Sequence, residues 1–150
     1  MASKFPPFLR PGNQDSSVLQ FKPAGAATFK AGALVVYATG SDDIDECGAD
    51  PALILGIALS DAAAKTIYAN GKIPVMVLDP TMVVGLSSAT TPTEAVVLDV
   101  GFGIEKTGFW RIDITDTTAT RVQVLEVDIP NGIFYCRFGA TWLQGDQILT

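Results

Sequence analysis

Apolar residues in this chain come in short runs, each cut by Gly, Pro, Asn or Asp. The runs in the first half are Leu34–Ala38, Ile54–Leu59, Ile73–Leu78 and Met82–Leu86, with Ile44–Cys47 as a short return strand after the Gly40-Ser-Asp-Asp43 turn. Strand-length runs separated by regular turn signals predict a small barrel or sandwich. One run departs from the usual half-buried pattern. Ile73, Val75 and Val77 alternate with Pro74, Met76 and Leu78, so both faces are apolar. Antiparallel sheets usually keep one wet face. The second face therefore needs a cover: another lobe, the N-terminal segment or a neighbouring subunit. Pro74, Met76 and Leu78 are candidate subunit-interface residues on this ground, with Trp142 from the apolar C-terminal segment Ala140–Thr150.

The last third alternates more cleanly. Trp110, Ile112 and Ile114 are spaced by Arg111 and Asp113. Val122 and Val124 share one parity, Val127 and Ile129 the other, and such a phase shift predicts a β-bulge near Leu125. Asn131-Gly132 predicts a hairpin to Ile133–Phe138, on which Phe134, Cys136 and Phe138 share a face. Thr91 and Glu94 have capping-box spacing, and Pro92 sits where its missing N–H costs nothing. They predict a short helix over 92–98, stopped by Gly101. Ser60–Thr66 reads as one helical turn or as a loop. The fold class is mainly β: a small antiparallel β-barrel or sandwich with one short helix, over residues 23–150, in two lobes of about 28–88 and 92–150.

Residues 1–22 differ. Phe5-Pro-Pro-Phe-Leu-Arg10 opens with a proline pair, which favours an extended backbone without internal hydrogen bonds. With Val18, Leu19 and Phe21, the segment carries too many apolar residues for a solvated tail. It reads as an extended arm whose Phe5, Pro6, Pro7, Phe8, Leu9 and Arg10 lie on a partner's surface. The alternative is that it folds back on its own domain.

Composition sharpens this. The chain is 48% apolar and only 17% charged, against about a quarter charged in ordinary soluble domains. No run reaches the ~18 apolar residues of a membrane-spanning helix, so buried subunit contacts are the expected outlet. Net charge is −6, and the ten basic residues are scattered. A nucleic-acid footprint needs a basic patch, so none is expected, nor is a membrane partner. Met1–Arg10 lacks the apolar core of a secretory signal, which points to synthesis in the cytoplasm of the producing cell.

There is no histidine, which removes Ser-His, Cys-His and His-ligated metal chemistry together. Cys47 and Cys136 have no metal-ligand spacing and read as two reduced core thiols, or as one bridge. The acidic stretch Asp42, Asp43, Asp45, Glu46 and Asp50 lacks the EF-hand pattern and reads as a solvated edge. Asp61, Asp79, Asp99 and Asp113 read as turn or cap residues, and Trp110 and Trp142 as core or interface residues before sugar platforms. No cofactor is implied.

Two stretches carry a resemblance. Gly32-Ala-Leu-Val-Val36, Ile44-Asp-Glu-Cys-Gly48, Leu55-Gly-Ile-Ala-Leu59 and Gly71-Lys-Ile-Pro-Val-Met-Val77 resemble the β-barrel unit of head decoration (cement) proteins of tailed bacteriophages. Val100-Gly-Phe-Gly-Ile104 with Gly108–Val122 is similar to the C-terminal part of small phage head proteins. The resemblance implies a non-enzymatic virion protein, a homotrimer on the capsid exterior whose partner is the major capsid protein, often with an N-terminal segment reaching across the shell. The other readings are a tail or head–tail connector subunit, and a β-sheet ligand- or carbohydrate-binding module.

Overall fold

The structure is a computed structural model, and it describes residues 5–10, 17–24, 27–38, 43–62 and 71–144. Eleven strands follow in order: β1 Phe8–Leu9, β2 Ser17–Pro23, β3 Leu34–Ala38, β4 Asp43–Glu46, β5 Gly56–Ala58, β6 Ile73–Val77, β7 Val84–Leu86, β8 Gly103–Thr107, β9 Phe109–Asp113, β10 Val122–Asp128 and β11 Ile133–Phe138. The chain is mainly β, as its patterning predicts. The stretch 63–70, the acidic Asp42, and Ile148 and Leu149 lie outside the described residues.

The first lobe is a ring in the order β2-β4-β3-β5-β6, closed where β6 pairs with β2. Its seam is a two-residue parallel contact, Lys22 with Asp43 and Pro23 with Ile44, while the other pairs are antiparallel. In the second lobe, a sheet of order β1-β7-β11-β10 packs with the β8–β9 hairpin. Two single bridges, Phe102 with Val122 and Ser88 with Ile112, join the hairpin to β10 and to the segment just after β7. The lobe boundary thus falls between Val77 and Val84, earlier than position 88, because β7 pairs with β11 and not with the barrel.

Both faces of β6 are dry, as its sequence requires. Ile73 and Val75 are fully buried on one side, Met76 and Leu78 on the other. The cover comes from the chain itself. Ile57, Met76 and Leu78 belong to one continuous core with Phe134, Cys136 and Phe138 of β11.

The β10–β11 ladder shifts register between Val124 and Glu126, the bulge that the change of parity predicts. The hairpin turn is wider than a two-residue Asn-Gly turn. Pro130 takes the second position of a four-residue turn, where its fixed φ is favourable. Gly132 then donates to the Ile129 carbonyl at 3.2 Å and carries φ 68°. The expected helix over 92–98 is a single 3₁₀ turn, Glu94–Val96, with no side-chain cap. Leu98 leaves helical geometry at φ 55° and donates its N–H to Val124 O on β10 at 2.8 Å. Sheet attachment and the β-branched pair Val96-Val97 outweigh the capping signal. Strand β8 has no clean alternation in sequence, and Gly108, at φ 87°, connects it directly to β9.

Candidate functional site

The N-terminal segment is not free in this chain. Phe8 and Leu9 pair with Gly85 and Val84 of β7. The Phe8 ring lies over Gly85 and meets Tyr135 edge-on at 6.3 Å, while Phe5 and Phe8 lie 5.6 Å apart. Pro6 packs on Gly32 of the first lobe, where the φ of 92° and the contact both require glycine. Pro7 is buried. Ser87 Oγ donates to Phe5 O at 3.1 Å. Arg10 donates its N–H to Val83 O, stacks 4.4 Å over Tyr135 and pairs with Glu126 at 2.6 Å. Residues 5–10 therefore strap the second lobe to the Gly32 turn of the first, and Ser17–Pro23 is a barrel strand. This corrects the reading of 1–22 as an arm on a partner: Phe5–Arg10 and the β2 backbone find their contacts within the chain, the alternative that composition left open, while the Val18 and Leu19 side chains stay about half exposed.

The four candidate interface residues separate. Met76 is 6% and Leu78 1% exposed, so the chain's own core encloses both and leaves little for a subunit contact. Pro74 remains half-buried on the outer barrel face, between Gln20 on β2 and Leu59 just after β5. Trp142 is half-buried under the Arg121 guanidinium, 3.8 Å from its ring. Arg121 in turn donates to Pro51 O and Asp50 O. Arg121 and Trp142 line a shallow groove of about 440 Å³ with Gly101, Gln123 and Arg137. Trp110 is buried, donates Nε1 to Cys47 O at 3.0 Å and lies under Lys106.

The most open apolar surface was only partly legible. Val18 and Leu59 are about half exposed on the sheet face of Pro74, and Leu19, on the opposite parity, is about half exposed on the other face. Leu98 and Val100 form a second exposed pair beside β10. Val18 and Leu19 stand out in sequence as adjacent apolar residues, but the proline pair upstream assigns them to an arm and hides their strand.

Polar groups serve the turns and lobe contacts. Asp79 and Asp113 each accept from the N–H and hydroxyl of a threonine two residues on. Asp61 accepts from Ala31 N at 2.8 Å. Glu46 pairs with Lys106 across the lobes, and Asp43 with Lys22. Among the described residues, no three His, Cys, Asp or Glu side chains are grouped to hold a metal, and no helix is long and apolar enough to cross a membrane. Cys47 and Cys136 are free and buried. Burial pushes the Cys47 thiol up to about 12 and raises that of Cys136.

Asp50 and Asp116 meet between the lobes, both carboxyls against Gly103. Asp50 Oδ1 accepts from Ile104 N at 2.8 Å. Burial, then the hydrogen bond to Asp116, raises the Asp50 carboxyl above its usual range. Donors from Ala119 and Thr118 hold Asp116 down at about 2. A raised carboxyl contributes stability below its unfolded value, and that contribution is lost as pH rises through the folded one. Asp50→Asn keeps the acceptor for Ile104, supplies a permanent donor to Asp116 and suits φ 42°. Thermal melts should show it more stable than the native chain at pH 8 and equal to it near pH 3. A lower midpoint at pH 8 would refute the shared proton.

No family model matches this sequence, and no curated protein matches it.

Proposed function

We propose that this protein is a structural virion component that binds the outer surface of a tailed-phage capsid as a trimer and stabilises the mature shell. The observation that carries the reading is the apolar surface left open on a self-contained two-lobed β fold, around Val18, Leu59 and Pro74. Such patches mark protein–protein contacts more often than catalysis. The decoration-type motifs lie in the same lobe. A protein that binds only the expanded lattice stabilises it by mass action. Three copies of one weak contact in a trimer hold more firmly than any one contact alone.

The strap shifts the contact from residues 5–10 to the barrel face. Leu59→Lys, which replaces an exposed side chain, should leave the melting midpoint unchanged and abolish protection of expanded capsids against heat. Full protection by the variant, in a capsid-melting assay with saturating protein, would sink the proposal.

A further inference from the structure

Among the described residues, the first barrel carries an unfilled strand edge. Pro74 O accepts from Leu59 N at 3.0 Å, and Leu78 N donates to Leu55 O. The even-numbered backbone groups of β6 therefore face β5, and those of Ile73, Val75 and Val77 face β2. Register then turns Ser17, Leu19 and Phe21 toward β6, and Val18 and Gln20 away from it. Ala24, on the same parity, donates to Ile44 O of β4 at 2.8 Å. Strand β4 reaches β2 only at Lys22 and Pro23. Among the described residues, nothing pairs with the outward N–H and C=O groups of Val18 and Gln20. Val18, Leu19 and Gln20 are all exposed, and Ser17-Val-Leu-Gln-Phe21 contains no charge or proline to blunt the edge. An apolar, unguarded edge is a template for another strand.

We infer that this edge pairs with the same edge of a second copy of the chain, antiparallel, about a two-fold axis through Leu19. The argument is self-complementarity. Antiparallel ladders alternate residue pairs that exchange two hydrogen bonds with pairs that exchange none. With Leu19 opposite Leu19, Val18 stands opposite Gln20 in both directions. Each outward group then meets a complementary one, and the outward groups of both strands from Val18 to Gln20 are satisfied. A register centred on Gln20 sets Val18 against Lys22, which β4 already holds. The two Leu19 side chains meet at the closer, non-bonded position. Leu19, at 53%, is the most exposed large apolar residue of the described first barrel, and this contact covers it. The contact is isologous and closes on itself. It is independent of the capsid reading, and in a trimer it would join subunits of neighbouring trimers in pairs.

The test is cross-linking with a mass measurement. Non-bonded antiparallel pairs have Cα atoms about 4.5 Å apart, inside the disulfide range of about 4.4–6.8 Å. Leu19→Cys under mild oxidation should give a reductant-sensitive dimer as the main species on a denaturing gel. Val18→Cys, set opposite Gln20, should give at least tenfold less. Cys47 and Cys136 are buried and add no background. Gln20→Pro deletes an outward N–H without touching the bonds to β6, and should halve the mass in solution by light scattering at an unchanged melting midpoint. The inference is overturned if Leu19→Cys cross-links no better than Val18→Cys, or if a folded Gln20→Pro keeps the native mass. A hexamer falling to a trimer supports both this edge and the trimer. A dimer falling to a monomer supports the edge and removes the trimer. A trimer unmoved by Gln20→Pro does the reverse.

Discussion

A chain shortened by residues 1–23 will not fold, whereas one shortened by residues 1–10 will fold and melt earlier. The longer deletion removes β2, the strand that joins β6 to β4 and closes the first barrel. The inward ladder groups of Ile73, Val75 and Val77 then lose their partners. Ile44, Ile73 and Val75, each at 0% exposure, open to water. Fully burying an aliphatic side chain is worth about 1.5–3 kcal/mol, and total stability is only about 5–15 kcal/mol, so opening these three to water takes most of it. The shorter deletion removes the strap. It forfeits the packing of Phe5, Phe8 and Leu9, the Arg10 stack and its exposed ion pair, but β7 keeps β11 on its other edge. Partial burial of two or three apolar side chains contributes about 2–4 kcal/mol, which lowers the midpoint of a chain this size by about 5–15 °C. Circular dichroism melts of both truncated chains decide the matter. A cooperative transition without residues 1–23 would show β2 to be dispensable and overturn the topology argument.

Strand identity was written in the sequence wherever two signals agreed. Leu34–Ala38 is apolar, β-branched and bounded by turn residues, and it forms β3 over those same residues. The bulge in β10 follows from side-chain parity alone, because a strand cannot change faces without an extra residue. Failures came where local and tertiary preferences conflict. The Phe5-Pro-Pro-Phe8 signal is real, since the segment is extended, but extension does not say which surface it lies on. That depends on Gly32 and Gly85 leaving room for Pro6 and Phe8, a complementarity between positions far apart in sequence. The capping box at Thr91 is outweighed by a single bond from Leu98 to β10. The candidate surface was half legible for the same reason. Apolar residues are easy to count, but whether Met76 or Leu19 is the covered one depends on which lobe face meets which, and no pattern of period two contains that.

The glycines that admit these contacts give the second large effect. A Cβ at Gly56 would lie 2.0 Å from the Met76 carbonyl oxygen and 2.8 Å from its carbon. These are backbone atoms inside the β5–β6 ladder, and they cannot move without parting two barrel strands. Overpacking a core commonly costs about 1–3 kcal/mol even when side chains are free to adjust. Here they are not, so Gly56→Ala should cost about 3 kcal/mol or more, and a melting midpoint lowered by about 10 °C is expected. Gly85 offers the contrast. The three atoms nearest a Cβ there all belong to the Phe8 ring, at 2.3 to 2.9 Å, and that ring can swing away with the strap while β7 stays on β11. Gly85→Ala should therefore resemble the loss of residues 1–10, and should add almost nothing in a chain already lacking them. Gly56→Ala should add its full cost in either background, because independent sites are additive and shared ones are not. Four melting midpoints per glycine form the two cycles. If Gly85→Ala destabilises the shortened chain as much as the full one, Phe8 is not what the glycine accommodates, and the strap has no part in holding β7.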